Sequence, residues 1–474
     1  MKKYILLALL STVLLMTSCL NNDSSEDITY YNDSAITGFS LGTLNRYLHT
    51  TSSTGEDSIY KRTYAGSTYK FTIDQQNRKI YNLDSLLINT DPEHIICAIS
   101  TKNSGIALIK SLEEEDTWLY YSSSDSIDFS TPREFRIFDM TGQAYRDYTI
   151  EVNVHKEDGD VFNWAEKSQS EAFKQMSGLK AAFLNQIVYV FGNQGGTTVG
   201  YKTAATDGEN WQQLTFNINH ILDADAYKNI MVWGEKLYLL DKGSLLASTD
   251  GETWESMGGA KVLSQLVACN EDKFVAIDGD GKLVSTTDFS VWTEEELSDD
   301  MSLFPTECIG FVNNHISSAS YASELMVIGN RSASAYPEDA NAVVWRQIDE
   351  QPVGDTHPWT YLESDDTNIY SLPNLTGLTI MPYGEYLLAL GGKGQGASTA
   401  AAFDHVYVSH DGGITWKKDS RFSLPESLDA TATGVGMVSD NDNFVWVVLG
   451  GTGQVFRGRL NAMGWKTVQT EFKY

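Results

Sequence analysis

Ser409-His410-Asp411-Gly412-Gly413-Ile414-Thr415-Trp416 is the clearest copy of a pattern that recurs along the second half of the chain. Ser248-Thr249-Asp250-Gly251-Glu252-Thr253-Trp254 repeats it with one residue fewer between Asp and Gly. Ala205-Thr206-Asp207-Gly208-Glu209-Asn210-Trp211 and Ser285-Thr286-Thr287-Asp288-Phe289-Ser290-Val291-Trp292 repeat it more loosely. Each residue type has a mechanical reason to be there. The aspartate accepts backbone N–H groups inside a tight turn, the glycine allows positive φ, and the tryptophan returns on the next strand to bury a large ring beside the turn. Trp254 follows Trp211 by 43 positions, and Trp292 follows Trp254 by 38. A period near 40–45 residues is that of a four-stranded propeller blade.

Strand pairs precede each copy. NIMVWG and KLYLLDKG lead to SLLASTDGETW, QLVACNED and KFVAIDGDG lead to KLVSTTDFSVW, and GLTIMPYGE and YLLALGG lead to HVYVSHDGGITW. Between the third and fourth copies, CIGFV, LMVIGN, AVVWRQI and WTYLES supply a blade whose Asp-Gly turn is lost. GVGMVSD, FVWVVLG, GQVFRGRL and GWKTV supply a last one. The count is six blades, with seven as the alternative. VFNWAEK (161–167) reads as an outer strand that pairs with the last blade and closes the ring, since an unclosed sheet edge is a liability. The Ser409–Trp416 copy fits the Asp-box pattern S-x-D-x-G-x-T-W at every fixed position. The chain therefore resembles Asp-box propellers, and the resemblance implies a structural role for Asp207, Trp211, Asp250, Gly251, Trp254, Asp288, Trp292, Asp411, Gly413 and Trp416.

Upstream, from Ala35 to about residue 156, the pattern becomes one of short alternating strands. TYKFTI (68–73), HIICAIS (94–100), REFRIFD (133–139) and DYTIEVNVH (147–155) are examples. The last places Tyr148, Ile150, Val152 and Val154 on one face and Thr149, Glu151 and Asn153 on the other, the period of a half-buried strand. The strand–turn–strand around Thr141-Gly142 resembles the closing hairpin of bacterial immunoglobulin-like domains. That resemblance implies a β-sandwich of ordinary size. The expected fold is all-β: an Ig-like sandwich over 35–156, then the propeller over 157–474.

The chain begins MKKYILLALLSTVLLMTSC. Lys2 and Lys3 precede an apolar run that is too short to span a bilayer, and the proportions are those of a cleavable signal peptide over 1–18. Met16-Thr17-Ser18-Cys19 resembles a lipobox, which implies that Cys19 carries a lipid and anchors the protein rather than threading it through the membrane. Residues 19–34, with LNNDSSED after the cysteine, form a polar tether. It resembles the acidic tether of Bacteroidetes lipoproteins, which implies the outer membrane and its outer face. The layout as a whole resembles a family of such surface lipoproteins, with no activity implied.

The sequence holds 34 Lys and Arg against 63 Asp and Glu. Loss of residues 1–18 removes two lysines and no acid, so the charge moves from −29 to −31. So acidic a body repels nucleic acid. Beyond Cys19 there are Cys97, Cys269 and Cys308. An odd number cannot all pair; Cys269 with Cys308 is the disulfide alternative to buried thiols. No spaced Cys/His set supports a metal site, and no cofactor is expected.

Little in the sequence points to catalysis. Sialidases of this architecture clamp a carboxylate with three arginines, but the propeller holds Arg331, Arg346, Arg421, Arg457 and Arg459, and the Arg-Ile-Pro signature is absent. Xyloglucan-type enzymes use paired carboxylates, which are too abundant here to single out. Asp278-Gly279-Asp280-Gly281 starts like a calcium loop but sits at a hairpin. Gly391 to Gly396 opens no helix. His405 and His410 flank a strand on opposite faces. What remains is a binding surface for glycan or an envelope protein, with a glycoside hydrolase and an outer-membrane scaffold as alternatives. Insertions near 313–324, 331–342, 349–358 and 393–404 are expected to build it, with His357, Trp359 and Tyr361 as candidate stacking residues.

Overall fold

Long apolar runs such as Leu237-Tyr238-Leu239-Leu240 do not alternate, because the strands that carry them are covered on both faces: all four residues are less than 5% exposed. That burial comes from sheets stacked against sheets. The computed structural model describes residues 33–51, 55–257, 261–315, 322–350, 355–363 and 368–465. It divides at Glu157/Asp158 into two units. Cys19, the 1–18 segment and nearly all of the tether lie outside the described residues.

The second unit is a β-propeller. Its first sheet comprises Met176–Leu184, Ile187–Gln194, Thr197–Ala204 and Gln212–Gln213; its second, Ile230–Trp233, Lys236–Asp241, Ser244–Ser248 and Glu255–Ser256. The third comprises Leu263–Cys269, Phe274–Asp278, Leu283–Thr286 and Thr293–Glu294. In the fourth, Glu307–His315, Ala322–Asn330 and Val343–Glu350 are followed by Asp355–Thr356 and Thr360–Leu362, which both pair with Val343–Glu350. The fifth comprises Thr379–Tyr383, Tyr386–Leu390, Tyr407–Ser409 and Lys417–Lys418. The sixth takes Gly434–Ser439, Val445–Gly450 and Val455–Leu460 from the end of the chain and Phe162–Glu166 from the start of the unit.

The innermost strands touch in cyclic order, and that of the sixth sheet returns to that of the first. Buried apolar residues fall into matching groups, one for each interface around the ring. Leu237 and Leu239 meet Tyr189 and Phe191, Phe274 meets Tyr238, Trp345 meets Val275, Trp416 meets Ile328, Phe456 meets Leu388, and Trp446 meets Val188. The ring is joined where Phe162 pairs with Leu460 and Glu166 with Phe456, antiparallel.

The first unit is also all sheet. Six strands lie in the order Phe71–Asp74, Lys79–Asn82, Tyr145–Glu151, Arg133–Phe138, Ala107–Lys110 and Trp118–Tyr120. The hairpin between Arg133–Phe138 and Tyr145–Glu151 forms, with Gly142 at φ 68°. Lys79–Asn82 pairs with Tyr145–Glu151 in parallel, which no local pattern announces. Ile36–Leu41 pairs with Cys97–Thr101, and both contribute to the core with Ile80, Phe135, Ile137 and Ile150. The alternation expected along 147–155 needs correction. Glu151 and Asn153 are buried along with Tyr148, Ile150 and Val152. Glu151 meets Lys79 Nζ at 3.4 Å, and Asn153, just past the strand's end, exchanges backbone and amide hydrogen bonds with Asn82.

Phe456 is fully buried beside the closing strand. Phe456→Ala is expected to lower unfolding free energy by about 3–5 kcal/mol in urea denaturation, while Val291→Ala, at a residue 69% exposed, stays within about 0.5 kcal/mol.

Candidate functional site

The aspartate turns join the third and fourth strands of their sheets. Asp411 Oδ1 accepts the Thr415 N–H at 2.8 Å and the Ser409 hydroxyl at 2.9 Å, and Asp411 Oδ2 accepts the Thr415 hydroxyl at 2.6 Å. Asp250 does the same work: Glu252 and Thr253 donate backbone N–H groups at 2.8 and 2.7 Å. Burial opposes ionisation of Asp250, but those N–H groups and the hydroxyls of Ser248 and Thr253 outweigh it and hold the carboxyl at about 2. The tryptophan closes each of these turns onto its glycine. Trp254 Nε1 donates to the Gly251 carbonyl and Trp416 Nε1 to the Gly413 carbonyl, both at 2.9 Å. The looser copies are weaker versions. Asp207 accepts from Glu209 and Asn210, and Trp211 Nε1 reaches the Gly208 carbonyl at 3.2 Å. Asp288 accepts from Ser290, with Phe289 rather than glycine at φ 63°, and Trp292 is half-buried.

The fourth sheet, which lost its turn, fastens itself differently. Trp359 Nε1 donates to Glu295 Oε2 at 2.9 Å, across to the third sheet. Gln347 donates to the same oxygen at 2.7 Å, and Lys273 pairs with Glu295 at 3.3 Å. Trp359 is therefore fully buried among Phe304, Trp345 and Val327, and the expectation that it stacks on a ligand is corrected. Tyr361 packs at 5.7 Å on Trp345. Only His357 of the three is exposed, 3.9 Å from Glu350.

The insertions do not share one face either. In an up-and-down sheet, the first-to-second and third-to-fourth turns lie at one end, and the second-to-third loops and the connections to the next sheet lie at the other. The described ends of the insertions 313–324 and 349–358 lie at the first end, together with the aspartate turns. Residues 331–342 and 393–404 belong to the second, where Ala397 N donates to the Asp339 carbonyl at 3.0 Å.

A groove of about 740 Å³ opens at the first end, beside the axis. Its walls come from the inner hairpins of three successive sheets: Trp233, Glu235 and Lys236 of the second, Asn270 and Glu271 of the third, and Asn313 of the fourth. Trp233 is held still. Its Nε1 donates to the Asn270 carbonyl at 2.7 Å, and its ring lies 5.4 Å from Phe289 and 5.7 Å from Phe274. Behind it, burial pushes the Cys269 thiol up to about 12. A smaller hollow of about 320 Å³ lies at the outer edge of the first sheet, by Lys202, Asn210 and Trp211. Trp233 ends its strand directly before Gly234 (φ 56°), half-buried against Tyr238, Phe274 and Phe289.

The remaining candidates resolve into structure. Asp278 Oδ1 accepts Asp280 and Lys282 N–H groups and Oδ2 meets Lys261 Nζ at 2.7 Å, so the glycine-rich hairpin is a turn. Arg331, Arg346 and Arg421 each face a carboxylate of their own: Asp339, Glu324 and Asp419. His405 meets Asp404, and His410 meets Asp419. Cys97, Cys269 and Cys308 are free thiols. Among the described residues, no group of three or more His, Cys, Asp or Glu is placed to hold a metal, and no helix is long and apolar enough to cross a membrane.

Asp411→Ala is expected to cost about 1–3 kcal/mol in chemical denaturation, by orphaning the donors it satisfies. Because the folded carboxyl of Asp250 titrates at about 2, below the ordinary 3.8, its contribution is complete above the ordinary value and fades as pH falls from there towards 2. Asp250→Asn should flatten that part of the acid-denaturation curve. Trp359→Ala should lower stability by about 3–5 kcal/mol in the same assay, the mark of a core residue.

In the comparisons with solved structures, a glycoside hydrolase family 74 enzyme of Niastella koreensis is 13% identical with a TM-score of 0.28; the match covers 77% of this chain but 46% of that one. The propeller domain of Cps50 (Swd1) from Myceliophteria thermophila is 8% identical with a TM-score of 0.35, over 62% and 99% of the two chains. A Trichoderma reesei carbohydrate-active enzyme of family AA12 is 10% identical with a TM-score of 0.35, over 64% and 96%. No match to a curated protein is found. Residues 39–152 match the N-terminal domain of unknown function DUF6242, and residues 158–468 match the DUF6242 beta propeller domain. With both of its units matched in order, the chain belongs to the DUF6242 family.

Proposed function

We propose that the protein is a module anchored through a lipid on Cys19 to the outer face of the outer membrane, which binds glycan at the Trp233 groove without turning it over. In this reading the six sheets are six blades, the aspartate turns are Asp-boxes that fasten their outer strands, and the first unit is an Ig-like front domain. The observation that carries the binding assignment is the make-up of the groove. A fixed indole lies beside two amides, two carboxylates and an amine, contributed by three sheets. A ring already held by its own hydrogen bond offers a stacking surface with little rotamer entropy left to lose, and amide and carboxylate groups suit sugar hydroxyls as donors and acceptors.

Glu235 and Glu271 share the groove, and that pairing favours one second reading, hydrolysis of the bound sugar through two carboxylates. The two readings separate on a polysaccharide panel. Binding without product release supports the first; turnover that is lost in both Glu235→Gln and Glu271→Gln supports the second.

On a glycan array, the protein is expected to retain a defined set of sugars. Trp233→Ala should weaken retention about tenfold or more, and Asn313→Ala, at an exposed position that leaves the core intact, should weaken it by a smaller factor. Silence across the array would sink the binding assignment. Incorporation of labelled fatty acid, abolished by Cys19→Ala, checks the anchor, and protease accessibility on intact cells checks the face.

A further inference from the structure

The six-stranded sheet of the first unit has a face that its core does not use. Phe135, Ile137, Tyr148 and Ile150 point inward from the two middle strands and are buried. The residues between them point the other way, because successive side chains on a strand alternate. Register sorts that outer face into rows. Tyr120, Leu108, Arg136 and Asp147 stand abreast on Trp118–Tyr120, Ala107–Lys110, Arg133–Phe138 and Tyr145–Glu151. Trp118 and Lys110 belong to the row on one side, Phe138 and Tyr145 to the row on the other.

A band of rings held by one cation crosses these rows. The Arg136 guanidinium lies 4.2 Å from the centre of the Trp118 ring and 3.8 Å from that of Tyr145. Asp147 grips the same guanidinium with two charge-assisted bonds, at 2.8 and 2.9 Å. Phe138 packs 5.4 Å from Tyr145. Trp118 and Tyr145 are therefore fixed before anything binds, which spares rotamer entropy. The band is also open to water: Tyr120 is 81% exposed and Tyr145 52%. Large rings gathered in solvent on one rigid face mark a contact surface.

Charge decides what that face can take. The chain carries a net charge of −29. On the outer rows of these four strands, however, each charged side chain faces one of opposite sign. Lys110 meets Glu134 at 3.0 Å, Arg136 meets Asp147, and Glu151 meets Lys79. No charge is left over there to recognise a charged partner. The exposed turn at 113–116, which joins Ala107–Lys110 to Trp118–Tyr120, adds four carboxylates at the rim and turns polyanions away. A second copy of so acidic a chain is repelled for the same reason. An uncharged partner remains.

We propose that this outer sheet face binds an extended, uncharged polysaccharide, laid across the strands with its sugar rings stacked on Tyr145 and Tyr120. A sugar ring offers C–H bonds on its faces, which suit an aromatic ring, and hydroxyls at its edges, which suit phenol and carboxylate oxygens. Three strand spacings separate the two tyrosines, a run of about 14 Å, so the face meets several linked sugars rather than one. The platform belongs to the first unit and the Trp233 groove to the second, so neither assignment rests on the other.

The test is native affinity electrophoresis of the full chain carrying Trp233→Ala, which disables the propeller groove. Gels are cast with galactomannan, xyloglucan, mixed-linkage β-glucan or soluble starch, and with polygalacturonate as the anionic control. At least one neutral polymer is expected to retard the protein, and polygalacturonate is not. Tyr120→Ala with Tyr145→Ala should weaken that retardation about tenfold or more. Tyr120→Phe, which keeps the ring, should leave it within about twofold. Circular dichroism confirms the fold of each variant. Tyr120→Ala alone, at a side chain that stands in solvent, should still cost a few fold if the double variant misfolds. The proposal is overturned if no neutral polymer retards the protein, if the tyrosine variants are retarded as strongly as their parent, or if polygalacturonate retards it equally. Self-association in sedimentation velocity that the tyrosine variants abolish would give the face to a second copy and overturn it too. Glycan-array retention by the protein with Trp233 intact is read separately, so the groove stands or falls on its own.

Discussion

Five residues at the start of the second unit pair with five at its end, and the rest of the propeller presupposes that join. Without Phe162–Glu166, the sixth sheet would expose Val455–Leu460 as an edge, and Phe162 would no longer cover Phe456 and Tyr383. Every other interface in the ring depends on its neighbours being held at a fixed angle, so closure at one seam sets the spacing of all. It also brings the inner hairpins of successive sheets side by side, where Trp233 lies beside amides and carboxylates.

The aspartate turns show how the same constraint is met by different chemistry. In the second and fifth sheets a carboxylate collects backbone donors and the indole closes on a glycine carbonyl. In the fourth, the indole closes on Glu295, a residue of the preceding sheet, and Lys273 and Gln347 complete the arrangement. In the sixth, Trp446 Nε1 donates to Asp440 at 3.0 Å, a third solution. The constant element is a buried ring whose one polar atom finds an acceptor, as a ring of that size requires.

Much of this was legible in the sequence. The recurrence of Asp, Gly and Trp announced the propeller, and the strand at 161–167 announced its own partner. The fourth sheet was legible as strands but not in its fastening, because Trp359 and Glu295 are far apart in sequence and no local rule links them. The parallel pairing of Lys79–Asn82 with Tyr145–Glu151 was hidden for the same reason. Other points follow from the order of the strands alone. Counting strands assigns alternate loops to opposite ends, so the strands flanking the four insertions deliver them to two ends rather than one. Trp233, standing directly before the Gly234 turn, carried a signal of its own.

The antiparallel seam has a mechanical corollary. Phe162 is paired with Leu460, so the chain enters and leaves the ring at the same end of the same ladder. A pull applied between those two points would load the bonds one after another, like a zipper drawn from its open end, rather than all together in shear. The seam is thus easiest to open by peeling from that end. A partner or surface that tugs on the protein would have to grip it elsewhere to leave the circle whole.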